Sequence, residues 1–279
     1  MTPVALSLVL AAACMHAGWN ALAKAGRDKF AFLWLAMVSA SVLLMPVAVA
    51  SVLAGGVSVD SLGYLAATGT LHALYFYCLS RAYAVGDLSR VYPIARGLSV
   101  ALVAVLAWIA LAESLSPAGL AGVIVVAVGV FVVAEPWRRG QGSAGVFWAV
   151  VTGFIIAAYS VVDKAGVEHT EPVPYVVIMS LIACTLLAPM ALRRRTLLAT
   201  EWRANKRAVL VAATLSLSAY VLVLYAMRLS NAAYVVASRE LSIVASVIIG
   251  RVLLSEQTRI ARVAGAGLIA AGVIGLALV

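Results

Sequence analysis

A chain of 279 residues with 65% apolar and only 11% charged side chains, and a mean hydropathy of +1.08, is too oily for a soluble domain. About a quarter of a soluble domain's residues carry charge. The net charge of +9 would point to nucleic acid in a soluble protein, but here the basic residues fall between long apolar runs, where they set membrane orientation. Composition excludes a soluble fold and a nucleic-acid partner, and leaves an all-α integral membrane protein.

Crossing a bilayer core takes roughly 20 helical residues. Ten runs are long enough, near 2–23, 30–53, 61–83, 89–111, 117–134, 144–163, 173–192, 207–228, 232–253 and 259–279. They are too long and too uniformly apolar for transmembrane strands of about 10 alternating residues. The first run imitates a secretory signal, with Ala11-Ala12-Ala13-Cys14 resembling a lipoprotein cleavage site. It lacks a basic leader and stays apolar to Ala23, so it is read as an uncleaved helix. His16 and Asn20 lie four apart on it, with Trp19 alongside, and His72 and Tyr75 lie three apart on the third run. Histidine titrates near neutral pH, which makes His16 and His72 candidates for a coupling proton. The alternative is that each imidazole bonds across a helix interface.

The fourth run carries Arg96, with Tyr92 and Ser99 on the same helical face. The fifth opens at Ser116-Pro117, a capping residue followed by proline at the first helical position. In the sixth, Tyr159 and Ser160 occupy the slots of Trp19 and Asn20, so both helices are expected to line one cavity. The ninth carries Arg239 and Glu240, with Ser242 and Ser246 on the Arg239 face. A charge at the bilayer centre costs at least ~2.5 kcal/mol, so each arginine must face a partner or a wet cavity. Glu240 reads as the only acid deep in a run. Cys14, Cys78 and Cys184 lie in separate runs without metal-ligand spacing, so no metal site, disulfide framework or cofactor is expected.

One design is written twice. Arg96 and Arg239, Ser99 and Ser242, Pro46 and Pro189, and Glu113 and Glu256 are each 143 residues apart, and Lys24-Ala25-Gly26 returns after 140 as Lys164-Ala165-Gly166. The halves are 1–135 and 144–279, with five runs each. Sixteen of the twenty Lys and Arg residues lie at odd-numbered connections, and only Lys164 and Arg228 lie at even ones. By the positive-inside rule the odd connections are cytoplasmic and both termini periplasmic. Equivalent connections carry opposite charge: the first has three basic residues, while its counterpart holds Asp163, Lys164, Glu168 and Glu171. An odd number of helices per copy requires the second to insert upside down, and the charge bias is swapped to match. Inverted repeats of this kind place their site near the midplane, between the halves.

The stretch Val91-Tyr92-Pro93-Ile94-Ala95-Arg96-Gly97, followed by Leu111-Ala112-Glu113-Ser114, resembles the EamA repeat of the drug/metabolite transporter superfamily. The second copy matches in order through Tyr225-Ala226-Met227-Arg228, Leu253-Leu254-Ser255-Glu256 and the glycines from Gly265. His16-Ala17-Gly18-Trp19-Asn20 is similar to a bacterial branch associated with phosphonate use. The resemblance implies ten transmembrane helices in two inverted five-helix repeats, in a bacterial inner membrane. It also implies a transporter but leaves the substrate open; with the buried arginines, the expectation is a secondary transporter for a small polar metabolite, anionic or zwitterionic, working by alternating access.

Two readings of the arginines stay open. Both could grip substrate, since guanidinium binds carboxylate and phosphate through two bonds. Alternatively, symmetry could set Glu240 against Arg96 and leave Arg239 alone for substrate, with Glu240 also a candidate for the proton. Trp19, Asn20, Tyr92, Ser99, Tyr159 and Ser242 complete the expected substrate site. Glu113 and Glu256, on opposite faces, are expected to cap helix ends rather than form a catalytic pair. Pro46, Pro93 and Pro189 are expected to supply helix breaks. The glycines of the fifth and tenth runs suit close packing within the chain or in a homodimer. An intramembrane enzyme or a scaffold that transports nothing is the competing class, but neither HExxH nor GxSxG occurs. The expected partners are a small-molecule substrate, the lipid bilayer and a coupling proton.

Overall fold

The computed structural model describes residues 1–85, 88–135, 143–252 and 259–279, with side chains throughout these except at 24, 25, 83, 88–90, 92, 143, 246 and 249–252. The helices start where the sequence supplies a cap. In α1 (Pro3–Ala25) the Thr2 hydroxyl accepts the Ala5 amide at 3.2 Å, and in α2 (Lys29–Leu53) the Asp28 carboxylate accepts the Ala31 amide at 2.8 Å. After α3 (Leu62–Val85) and α4 (Leu88–Leu111), α5 (Pro117–Ala134) begins at Ser116, whose hydroxyl accepts the Gly119 amide at 3.0 Å. Each cap satisfies an amide that the first helical turn leaves without a partner.

The second half follows with α6 (Ser143–Gly166), α7 (Pro172–Arg193) and α8 (Arg195–Leu229), whose backbone leaves helical geometry at Asn205. The ninth crossing is in two pieces, α9 (Ala232–Ser238) and α10 (Leu241–Val252), and α11 (Ile260–Ala277) completes the ten. Eight helices among the described residues are long and apolar enough to span a membrane by themselves. The remaining crossings are α3, which turns the polar Thr68 and His72 inward, and the divided ninth.

Contacts between the halves come in reciprocal pairs. Helix α1 packs on α8 as α6 packs on α3, α2 on α8 as α7 on α3, and α4 on α6 as α1 on α10. Three pairings map onto themselves and lie along the pseudo-two-fold axis: α2 with α7, α4 with α9, and α5 with α11. In the last, Gly129 faces Gly265 and Gly122 faces Gly272, the exchange that a two-fold axis requires of positions 143 apart. A Cβ added to Gly129 would stand 2.9 Å from the Gly265 carbonyl oxygen, and one on Gly265 would stand 2.7 Å from that of Gly129. The backbones touch, so these glycines serve packing within the chain, while Gly267 and Gly275 face open space.

The connections sort by parity. At one face, Val57 forms an antiparallel bridge with Thr170, and the Glu171 amide donates to the Gly56 carbonyl at 2.8 Å. There too Arg228 pairs with Glu171 at 3.0 Å, and Glu113 accepts the Ala232 amide through both oxygens at 3.0 and 3.1 Å. These contacts join the second, fourth, sixth and eighth connections. At the other face the buried Glu201 accepts the amides of Arg27 and Asp28, and Glu135 lies 3.9 Å from Arg259 and 3.7 Å from Arg262. Ten crossings demand this alternation.

Candidate functional site

The two intramembrane arginines have different fates. Arg96 forms a two-point ion pair with Glu240, Nη2 to Oε1 at 2.6 Å and Nε to Oε2 at 3.1 Å, and both side chains are buried. The pair joins α4 to the break in the ninth crossing, across the axis. Arg239, one residue earlier, is buried as well, but its Nη1 has no hydrogen-bond partner among the described residues. Its guanidinium stands 5.7 Å from the centre of the Tyr220 ring, within cation–π range, and it shares the cavity lining with Tyr159.

The break presents both charges. Ser242 and Ile243 donate to the carbonyls of Arg239 and Glu240, three residues back, at 3.1 and 2.8 Å, so the helix tightens into a short 3₁₀-type turn there. Proline does not cause it. Pro46, Pro93 and Pro189 all lie inside continuous helices, contrary to the expectation that they would supply the breaks.

Arg239 reaches a cavity of about 90 Å³ lined by α1, α2, α3, α6, α7 and α8. Trp19, Phe32, Tyr75, Phe76, Tyr159 and Tyr220 give it an aromatic wall, and His16, His72 and Ser216 add polar groups. Trp19 donates its indole N–H to His16 Nδ1 at 3.1 Å, and His72 packs against Tyr159 with ring centres 4.2 Å apart. Arg239 is the charged side chain on this lining. The pocket is small and mostly apolar, with one buried cation on its wall.

Behind the cavity wall lies a second buried acid. Asp163 on α6 is fully buried and accepts hydrogen bonds from three hydroxyls: Thr68 of α3 at 2.5 Å, Tyr175 of α7 at 2.9 Å, and Tyr220 of α8. His72 Nδ1 lies 3.1 Å from Thr68 Oγ1 and 3.0 Å from the Thr68 carbonyl. This corrects the reading of Glu240 as the only deep acid. Asp163 looks like part of a connection because Lys164 and Glu168 follow it, but α6 runs on to Gly166 and takes it inside.

The EamA-like transporter family model matches twice, over residues 3–134 and 143–278. The chain belongs to this family. Among solved structures, 28 chains match; one, described only as a crystal structure of a protein, has 19% identity and a TM-score of 0.74, and the match covers 100% of this chain and 98% of that one. That likeness shows a shared fold. No curated protein matches the chain.

Within the EamA frame, the expected site residues divide into groups. The cavity brings together Trp19, Tyr159, Arg239, His16 and His72, and Arg96 with Glu240 lies beside it as an ion pair. The expectation that the matched slots of α1 and α6 line one cavity holds for Trp19 and Tyr159. Their neighbours turn inward: Asn20 Nδ2 donates to the His16 carbonyl at 2.8 Å, and Ser160 Oγ to the Ile156 carbonyl at 2.7 Å, the same bond in both repeats. Ser99 Oγ donates to the Arg96 carbonyl at 2.8 Å, and Ser242 is buried beside Arg239. The side chains of Tyr92 and Ser246, and the whole of Glu256, lie outside the described residues. Sequence reasoning missed Asp163 as a site residue, along with Thr68, Tyr175 and Tyr220. The available signal was an acid at the last residue of an apolar run, at a position where the first repeat has Ala23.

Proposed function

We propose that this EamA-family chain is a secondary transporter that carries a small organic anion or zwitterion by alternating access, its carboxylate or phosphonate held on Arg239. The observation that carries the reading is the unpartnered Nη1 of a buried arginine at a small aromatic cavity. A buried guanidinium with a vacant donor is costly unless something anionic completes it. Arg96 is already charge-paired, with Nε and Nη2 on one side of its guanidinium both meeting the Glu240 carboxylate. Trp19 and Tyr159 would flank the ligand's body, and the broken ninth helix supplies the discontinuity that transporters place at their sites. The Lys and Arg distribution supports an inner-membrane orientation with both termini periplasmic.

Thermal unfolding of the purified protein with acetate, lactate, methylphosphonate, glycine and methylammonium tests the site, followed by labelled uptake into proteoliposomes. A ligand at 100 times its Kd stabilises by about 2.7 kcal/mol. Carboxylates, phosphonates or zwitterions should raise the Tm and methylammonium should not. Arg239→Lys keeps the charge but loses the planar fork, and should weaken binding about tenfold or more. Equal stabilisation of wild type and Arg239→Gln would sink the reading.

A further inference from the structure

The charges around the cavity balance before any ligand arrives. Arg96 cancels Glu240 within one ion pair. Arg239 and Asp163 are the remaining buried opposites, and Tyr220 stands between them with its ring against the guanidinium and its hydroxyl on the carboxylate. An anion that pairs with Arg239 takes the cation out of this balance. Asp163 is then a buried carboxylate with hydroxyl donors but no countercharge, a condition that proteins relieve by taking up a proton.

We propose that Asp163 is the coupling proton's site: one proton enters with each monovalent anion bound at Arg239. The proposal rests on Arg239 as the anion site. The groups on the elements around Asp163 support it; past the end of α4, Glu113 shares a separate pocket with Lys164 and Glu168. Helix α3 offers the Thr68 hydroxyl and, behind it, His72, while Tyr64 one turn earlier stacks on His169. Helices α7 and α8 offer Tyr175 and Tyr220, and the ninth crossing offers Arg239 through Tyr220. On α6 itself, Tyr159 lines the cavity with Arg239, and the Lys164 ammonium is turned away to the Met227 carbonyl at 2.6 Å, with Glu168 at 3.8 Å.

His72 fits the route better than the destination. Its Nδ1 lies 3.0 Å from the Thr68 carbonyl, which can only accept, so Nδ1 carries the hydrogen and the neutral ring is basic at Nε2. A proton retained there would add positive charge beside Arg239, whereas one on Asp163 removes a negative charge. His72 lines the cavity and touches Thr68, which donates to Asp163. A proton gained at Nε2, the Nδ1 proton passed to Thr68 Oγ1 and the Thr68 hydroxyl proton passed to Asp163 Oδ1 leave one proton on the carboxyl and neutral groups behind it. A zwitterion that brings its own ammonium into the cavity keeps the balance and needs no proton.

The test is the affinity of the purified full chain for acetate and lactate across neutral pH, where both stay ionised, with glycine as the zwitterionic comparison. On the alkaline side the wild-type Kd for the anions should rise about tenfold per pH unit, each tenfold being one proton's worth of linkage. In unbuffered solution an indicator dye should report one proton taken up per anion bound. Any glycine affinity should be flat with pH, and a glycine Kd that rises like acetate's counts against the charge balance. Asp163→Asn should bind acetate with a pH-independent Kd and no proton uptake. If that variant does not fold, Asp163→Glu should move the midpoint pH, and an unmoved midpoint overturns the assignment. Anion binding to wild type without pH dependence overturns the coupling and leaves the Arg239 reading standing. PH dependence that persists in Asp163→Asn puts the proton elsewhere. Failure of both anions to bind wild type overturns the Arg239 reading itself.

Discussion

Arg96 and Glu240 are a buried pair whose value lies in being complete. Desolvating two charges roughly cancels their attraction, while removing one partner leaves an unpaired buried charge at about 3–5 kcal/mol. Glu240→Gln is therefore expected to lower the stability of the detergent-solubilised protein by an amount in that range, read as denaturant or thermal unfolding. The double variant Arg96→Met/Glu240→Met should fold far better than either single one. Near-additive losses would instead show that the two side chains act separately. The arginines were legible in the sequence because charge is conspicuous in an apolar run, and the 143-residue repeat made Glu240 the equivalent of Gly97, the neighbour of Arg96, so that its pairing with Arg96 was readable by symmetry. Asp163 was illegible for the opposite reason. It borders a charged connection, and the hydroxyls that hold it come from α3, α7 and α8, from Thr and Tyr residues with no motif among them.

At the scale of elements, the ninth crossing matters most because its break puts consecutive residues to different uses, Glu240 on α4 and Arg239 at the cavity. Prolines were the natural candidates for breaks, yet Pro46, Pro93 and Pro189 are absorbed into long helices. Neighbouring helices in a membrane can accommodate a proline that would end a helix in water. Glu113 holds the other end of α9 by accepting the Ala232 amide, a cap worth about 1 kcal/mol. Burial pushes its carboxyl above the ordinary range, and the Ala232 N–H pulls partly back. A carboxyl with a raised folded pKa keeps its proton longer in the native state than in the unfolded one. Its contribution to stability therefore falls as pH rises from the ordinary carboxylate value, about 4.3, through the raised one. The Tm of Glu113→Gln is expected to vary less with pH over that window than the wild type's. An identical slope in both would mean that other carboxylates set the profile.

The whole molecule is organised by its two-fold axis, and packing and topology test that axis separately. On α5 and α11, Gly129→Val and Gly265→Val each push a side chain into the opposing backbone and should both abolish folding, whereas Gly267→Val points into open space and should be tolerated. Topology is the stronger test, because inversion makes a claim about equivalent connections that packing does not. The second and sixth connections meet through the Val57–Thr170 bridge, although one belongs to the first half and the other to the second. If the halves were parallel copies, equivalent loops would share a side; inversion instead puts the first connection with the seventh, as Glu201 does by accepting the Arg27 and Asp28 amides. With Cys14, Cys78 and Cys184 replaced by serine, single cysteines at the exposed positions Asp60, Glu168 and Thr200 read this directly. A membrane-impermeant maleimide added to intact cells should label Asp60→Cys and Glu168→Cys and spare Thr200→Cys until the membrane is opened. Labelling of Thr200→Cys alone would keep the inverted fold and reverse its orientation, against the positive-inside bias. Unequal labelling of Asp60→Cys and Glu168→Cys would contradict the inversion itself, since no ten-helix inverted arrangement separates those two loops.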